Sequence, residues 1–172
     1  WMTVALPAGD LADVPVVLFQ HGIGGERSDM FAFADALCAA GFAVAAIDAP
    51  YHGMRAAGGA RDREHRWGTA ATADMPDLYG DARSTSIYLE YLGVADSGGE
   101  LVAFHPFYVR DILRQSVLDL MSATHVLESS ALTPLEAAGV TGLSFADGEI
   151  GFVGISLGGI LGTTFVASEP RV

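Results

Sequence analysis

The chain has 172 residues, 51% of them apolar, with 21 glycines, one cysteine and a formal net charge of -12. That is enough for one domain with a sizeable core, and the composition is globular rather than disordered. The charge argues against nucleic-acid binding, which needs a basic footprint, and no apolar run reaches the roughly 18 residues that cross a bilayer.

Residues 4–6 are predicted as a short strand and 7–10 as a turn. Val16-Val17-Leu18-Phe19-Gln20 is an apolar, β-branched run that suits a strand buried on both faces of a parallel sheet. It runs into His21-Gly22-Ile23-Gly24-Gly25, a glycine-rich loop. Ser28 is the expected cap of the next helix, and Asp29 suits its first turn. Met30, Phe33, Ala34 and Leu37 share one face of that helix, and Gly41 supplies the stop. Cys38, in the same helix, reads as a small core residue that can form no internal disulfide. Residues 42–47 are a second buried strand, ending in Asp48-Ala49-Pro50-Tyr51-His52-Gly53. Strand, loop, helix, strand is a βαβ unit.

From residue 54 to about 105 the order breaks down. Arg55, Arg61, Arg63 and Arg66 form a local basic cluster, and 84–92 is predicted as a helix. A connection this long is usually functional. It is either a cap over an apolar site or a surface insertion with solvated arginines. Pro106 then opens a long helix running to about residue 129. Val109, Ile112, Leu113, Val117, Leu120 and Met121 are its apolar stripe; Arg110, Asp111, Arg114 and Asp119 mark the polar side. Phe104, Phe107 and Tyr108 either line a lipid-facing groove or simply pack. A short turn or helix begins at Thr133. Asp147-Gly148 is a hairpin signal, so a brief β-excursion is expected before the last strand.

That strand enters Gly154-Ile155-Ser156-Leu157-Gly158, and a small-residue helix leaves it. This is the G-x-S-x-G pattern of a nucleophile elbow. Glycine at 154 and 158 lets strand and helix approach closely around Ser156. The alternative is a tight strand-helix turn with a buried serine. Ligand sites in open α/β sheets lie beyond the carboxyl ends of the strands, where the 21–25 loop and the elbow both fall. Acyl transfer needs a nucleophile and N–H donors for the developing oxyanion. Leu157 N–H is one natural donor; Ile23, or else Gly22, is the candidate for the second.

Taken together, His21-Gly22-x-Gly24-Gly25, Asp48-x-x-x-His52-Gly53 and Gly154-x-Ser156-x-Gly158 resemble the α/β-hydrolase superfamily. Within it, Phe19-Gln20-His21-Gly22-Ile23 and the Val109–Leu120 stretch are similar to the bacterial extracellular lipase and lysophospholipase group. The resemblance implies a mostly parallel sheet with helices on both faces and a cap-like insertion at 54–105. It implies Ser156 as nucleophile, a small-molecule or lipid carboxylic ester as substrate, and secretion or cell-surface exposure. It implies no metal and no cofactor, and the spacing of the five histidines matches no zinc site. His21, Gly24, Asp48 and His52 are loop-shaping residues in this reading. His65 and His105 lie in or beside the insertion, and His125 is on the surface.

The triad order in that fold is Ser, then acid, then His. After Ser156 there is no histidine and one acid, Glu169, too close to the elbow helix to serve. Trp1 is also an unusual start. The expectation is an incomplete α/β-hydrolase domain whose acid and histidine lie beyond residue 172, able to self-associate through its truncated sheet. Two rival classes stay open: another enzyme on this scaffold (peptidase, thioesterase or haloperoxidase), or a non-catalytic relative that uses the cleft for binding.

Overall fold

The apolar run at 16–20 becomes the middle of a four-stranded sheet. The computed structural model describes residues 1–50, 52–55, 106–129 and 133–172. Its strands are β1 (Met2–Ala5), β2 (Val14–Gln20), β3 (Ala43–Ile47) and β4 (Phe145–Gly154), in the order β1-β3-β2-β4. β2 pairs in parallel with both β3 and β4, and β1 runs antiparallel to β3. The described residues therefore form a mixed α/β sheet. The outer edge of β4 has no partner strand among them. The expected insertion at 54–105 lies outside the described residues except for residues 54 and 55. So do the 84–92 helix, Arg61, His65, Arg63, Arg66, Phe104 and His105.

Strand periodicity sorts the core onto two faces. Val14, Val16 and Leu18 of β2, with Ala43, Ala45 and Ile47 of β3, face one side. There they meet α2 (Pro106–Glu128) through Ile112, Val117 and Leu120. They also meet α4 (Leu157–Ser168) through Leu157, Leu161 and Phe165. Phe19, Val44 and Ala46 face the other side, against Met30 and Ala34. Phe33 closes that layer edge-on to Phe19, with ring centroids 5.1 Å apart. A short helix α3 (Thr133–Ala137) precedes β4. The predicted stripe of the long helix is correct in register: Ile112, Val117 and Leu120 are buried, while Arg110, Asp111 and Arg114 are exposed.

Three local expectations are corrected. Ser28 does not cap the first helix. The segment starts as a 3-10 turn (Arg27–Ala32) capped by Glu26, in a reciprocal box with Asp29, and continues as α1 (Ala34–Ala39). The Ser28 hydroxyl is turned back to donate to the Glu26 carboxylate, and the Arg27 N–H donates to Asp48 Oδ1 at 2.8 Å. Asp147-Gly148 does not turn a hairpin. It lies inside β4, where four residues between Phe145 and Ile150 face one between Val14 and Val16, a bulge with Gly148 at φ 70°. Cys38 is half-buried rather than in the core.

The far end of α4 is tied down by charge. Glu169, 1% exposed, receives Arg171 Nε and Nη2, each at 2.6 Å, and Arg171 Nη1 reaches Glu128 in the last turn of α2 at 2.8 Å. The guanidinium bonds hold the Glu169 carboxyl below the usual glutamate range, against the opposing effect of burial. A depressed folded value means this stabilisation is present above the unfolded value, about 4.3, and disappears as pH falls through the folded one. Arg171→Gln is therefore expected to lower the urea midpoint at pH 7, with the gap to wild type closing below about pH 4. A gap of equal size at pH 7 and pH 3 would refute the assignment.

Candidate active site

The close approach of strand and helix at 154–158 is built from missing side chains. A Cβ on Gly154 would lie 2.4 Å from the Gly158 carbonyl carbon, and a Cβ on Gly158 would lie 2.1 Å from Gln20 O. α4 thus starts directly against the end of β2. The contact is fixed by Ile155 N–H donating to Gln20 O at 3.1 Å. Between the two glycines Ser156 takes φ 53° and ψ -115°, a left-handed conformation that a residue with a Cβ rarely adopts. It is solvent-exposed and is the N-terminal cap residue of α4. The alternative of a buried serine in this turn is excluded.

The first turn of α4 uses most of its donors. Gly158 N–H bonds Ile155 O at 2.8 Å, and Gly159 N–H bonds Ser156 O at 2.9 Å. Leu157, as first helical residue, presents an N–H with no intrahelical acceptor, at the positive end of the helix.

The glycine-rich loop arrives beside this serine. A Cβ on Gly22 would be 3.0 Å from Ser156 Cβ and 3.7 Å from Ser156 Oγ. Any larger residue at 22 would crowd the hydroxyl. The loop folds back on itself through Gly25 N–H to Gly22 O at 2.9 Å, with Gly24 at φ 77°. Ile23 follows Gly22 with its side chain exposed. Gly22, Ser156 and the start of α4 are therefore together at the carboxyl ends of β2 and β4.

His21 and His52 are both fully buried, with rings 5.0 Å apart. Ala49 N–H donates to His21 Nε2 at 3.0 Å, so that nitrogen is the acceptor and Nδ1–H donates to Gly22 O at 2.7 Å. His21 thereby couples the loop after β2 to the loop after β3. His52 donates Nδ1–H to Pro50 O at 2.8 Å. Each ring thus bonds the backbone of its own loop.

Asp48, 1% exposed, is a structural acceptor. It takes the backbone N–H and the guanidinium of Arg27, and Arg27 Nε also donates to Thr3 Oγ1 at 2.9 Å. Gly53 sits on this carboxylate at φ 50°, where a Cβ would fall 2.5 Å from Asp48 Cγ. Arg55 holds the same loop to α2, donating to Asp48 O at 3.0 Å and pairing with Asp119. Sequence reasoning missed Arg27 and Glu26. The available signal was an acid three residues before Asp29, which makes a capping box, and a lone arginine beside the loop in an acidic chain.

Among the described residues, His125 and Glu169 lie away from Ser156. His125 is exposed in the last turn of α2, near Arg171 at the opposite end of α4 from Ser156. A 12-residue helix separates those ends by about 18 Å. Glu169 is at that same far end, committed to Arg171. Among the described residues no group of three or more His, Cys, Asp or Glu could hold a metal ion, and no helix is long and apolar enough to cross a membrane. No protein-family model matches the chain, and no curated protein matches it either.

Proposed function

We propose that the chain carries the nucleophile half of an α/β-hydrolase-type serine hydrolase acting on carboxylic esters, with lipid or acyl esters as the substrate class. The observation that carries this reading is the left-handed Ser156, exposed at a strand-helix turn with Gly22 packed on it. A strained serine is kept where the surrounding structure forces it, and such strain concentrates at active sites. In this reading Ser156 Oγ attacks the ester carbonyl carbon and its proton passes to a base. The resulting oxyanion is received by Leu157 N–H and a second N–H from Ile23 or Gly22. Collapse expels the alcohol and leaves an acyl-Ser156, which water then cleaves to the free acid. Two such donors are worth roughly 2.7–4 kcal/mol each in the transition state.

The base is not assigned to a described histidine. His21 has both ring nitrogens committed, His52 donates Nδ1–H to a backbone carbonyl, and His125 is at the wrong end of α4. The reading assigns no triad acid or histidine among the described residues and puts the cap at 54–105. It includes self-association of this chain through the open edge of β4; a monomer by light scattering at all concentrations would remove that part.

The test is fluorophosphonate labelling with the adduct mapped by peptide mass spectrometry. A protein extended past residue 172 is expected to label at Ser156 and to hydrolyse p-nitrophenyl acyl esters, with both lost in Ser156→Ala. The 172-residue chain is expected to label weakly or not at all. Esterase activity surviving in Ser156→Ala would refute the assignment. Labelling at Ser156 with hydrolysis confined to acyl thioesters or peptides would move the activity to another enzyme on this scaffold. A folded, extended protein with no labelling would favour a non-catalytic binding module.

A further inference from the structure

A second concave surface lies outside the serine site. α2 and α4 pack side by side and leave a groove of about 690 Å³ between them. Its floor is Leu113, Val117, Met121 and Leu161, and its walls include Leu118 and Ile160. Leu118 is 54% exposed and Ile160 67%, although both are large and apolar. Contiguous apolar surface of this kind marks a binding site more often than bare surface.

The groove carries charge along only part of its length. Arg110 and Arg114 line it in the N-terminal half of α2, and among the described residues no charged one lines the Val117–Met121 half. Both arginines turn to the same acid, Asp111, at 2.8 Å and 3.6 Å. Two guanidinium groups on one carboxylate leave a local excess of one positive charge, in a chain of net charge -12. The positive end of the α2 dipole adds to it. The surface is therefore amphiphilic, with a cationic head region and an apolar trough, and it follows about 22 Å of helix from Pro106 to Met121.

We infer that this groove binds one long-chain fatty acid, its hydrocarbon chain along the trough and its carboxylate at Arg110 and Arg114. A guanidinium pairs with a carboxylate in its favoured fork geometry. A neutral hydrocarbon would gain nothing from the one positive charge that Asp111 leaves unbalanced. A second copy of this chain would set the same two arginines against each other. The inference uses no part of the serine site and does not depend on the ester-hydrolase reading.

The test is titration of the 172-residue chain with cis-parinaric acid, below its micellar concentration, followed by fluorescence and by displacement with palmitate. Saturable one-to-one binding is expected. Leu118→Asp and Ile160→Asp should each weaken it at least about tenfold, and both positions are exposed enough to leave the fold intact, as circular dichroism would verify. Arg110→Ala with Arg114→Ala should weaken it comparably, and hexadecanol should displace the probe far less well than palmitate. Ser156→Ala should bind like wild type, which separates this site from the proposed nucleophile. Absence of saturable binding would overturn the inference. So would binding indifferent to these substitutions, or a dimer that Ile160→Asp dissolves.

Discussion

Gly158→Ala is expected to lower the unfolding free energy by about 3 kcal/mol, at the upper end of the usual cost of overpacking. The neighbouring Gly159→Ala is expected to be neutral or to stabilise by up to about 1 kcal/mol through helix propensity. The two substitutions are chemically identical and one residue apart. They differ in what the new methyl group meets. At 158 it falls 2.1 Å from Gln20 O, 2.8 Å from Gln20 C and 2.9 Å from His21 O, all backbone atoms that cannot rotate aside. Relief requires α4 to withdraw from the end of β2, which breaks the 3.1 Å bond from Ile155 N–H to Gln20 O. At 159 the nearest atom is 3.6 Å away, an ordinary contact. Urea denaturation of the two variants checks this directly, and equal midpoints would mean that the strand-helix approach is not as close as described. The withdrawal would also shift Leu157 and Gly22 relative to each other. An extended, active protein carrying Gly158→Ala should therefore lose turnover even at temperatures where it stays folded.

The second large effect concerns Ser156 itself. Ser156→Gly is expected to be more stable than Ser156→Ala by about 1 kcal/mol, the cost that a Cβ incurs in the left-handed region. Both variants lose the Ser156 hydroxyl, so on the proposed reading neither should label with a fluorophosphonate. Only the glycine variant escapes the strain at φ 53°. Asp13 is the other described non-glycine residue at positive φ, 54°, and a glycine would be the less strained residue at either position. Equal stability of the two variants would show that the turn is not strained and would remove the main support for the elbow.

Much of this site was legible in the sequence because its parts are defined by backbone geometry. Gly154 and Gly158 are required by contacts at 2.4 Å and 2.1 Å, and no other residue type fits there. β2 and β3 were legible because burial on both faces leaves an uninterrupted apolar run. The long helix was legible from its apolar stripe. The failures were local choices between competing hydrogen bonds. Ser28 suits a cap by residue type, but its hydroxyl donates to Glu26, and Glu26 with Asp29 makes the reciprocal box instead. Asp147-Gly148 carries the same signal for a hairpin turn and for a bulge. Pairing with β2 made it the second, since β4 has a parallel neighbour there and no antiparallel one. Cys38 was placed by helix periodicity, but the short α1 leaves its last turn half-covered.

The lock between His21 and Ala49 and the contact between Gly22 and Ser156 differ in when they can form. The first joins residues 28 apart and needs only the βαβ unit. The second joins residues roughly 130 apart, and closing the longer loop costs about 1.4 kcal/mol more in chain entropy. The oxyanion loop can therefore be shaped and held while the chain is still being synthesised, well before residue 156 exists. The serine then docks onto a finished surface as β4 adds to β2. On this order of events a chain interrupted anywhere in the long middle segment would still own a folded receiving loop, but it would lack the serine that packs on it. The contact between Gly22 and Ser156 would arrive in one late step, with the edge strand.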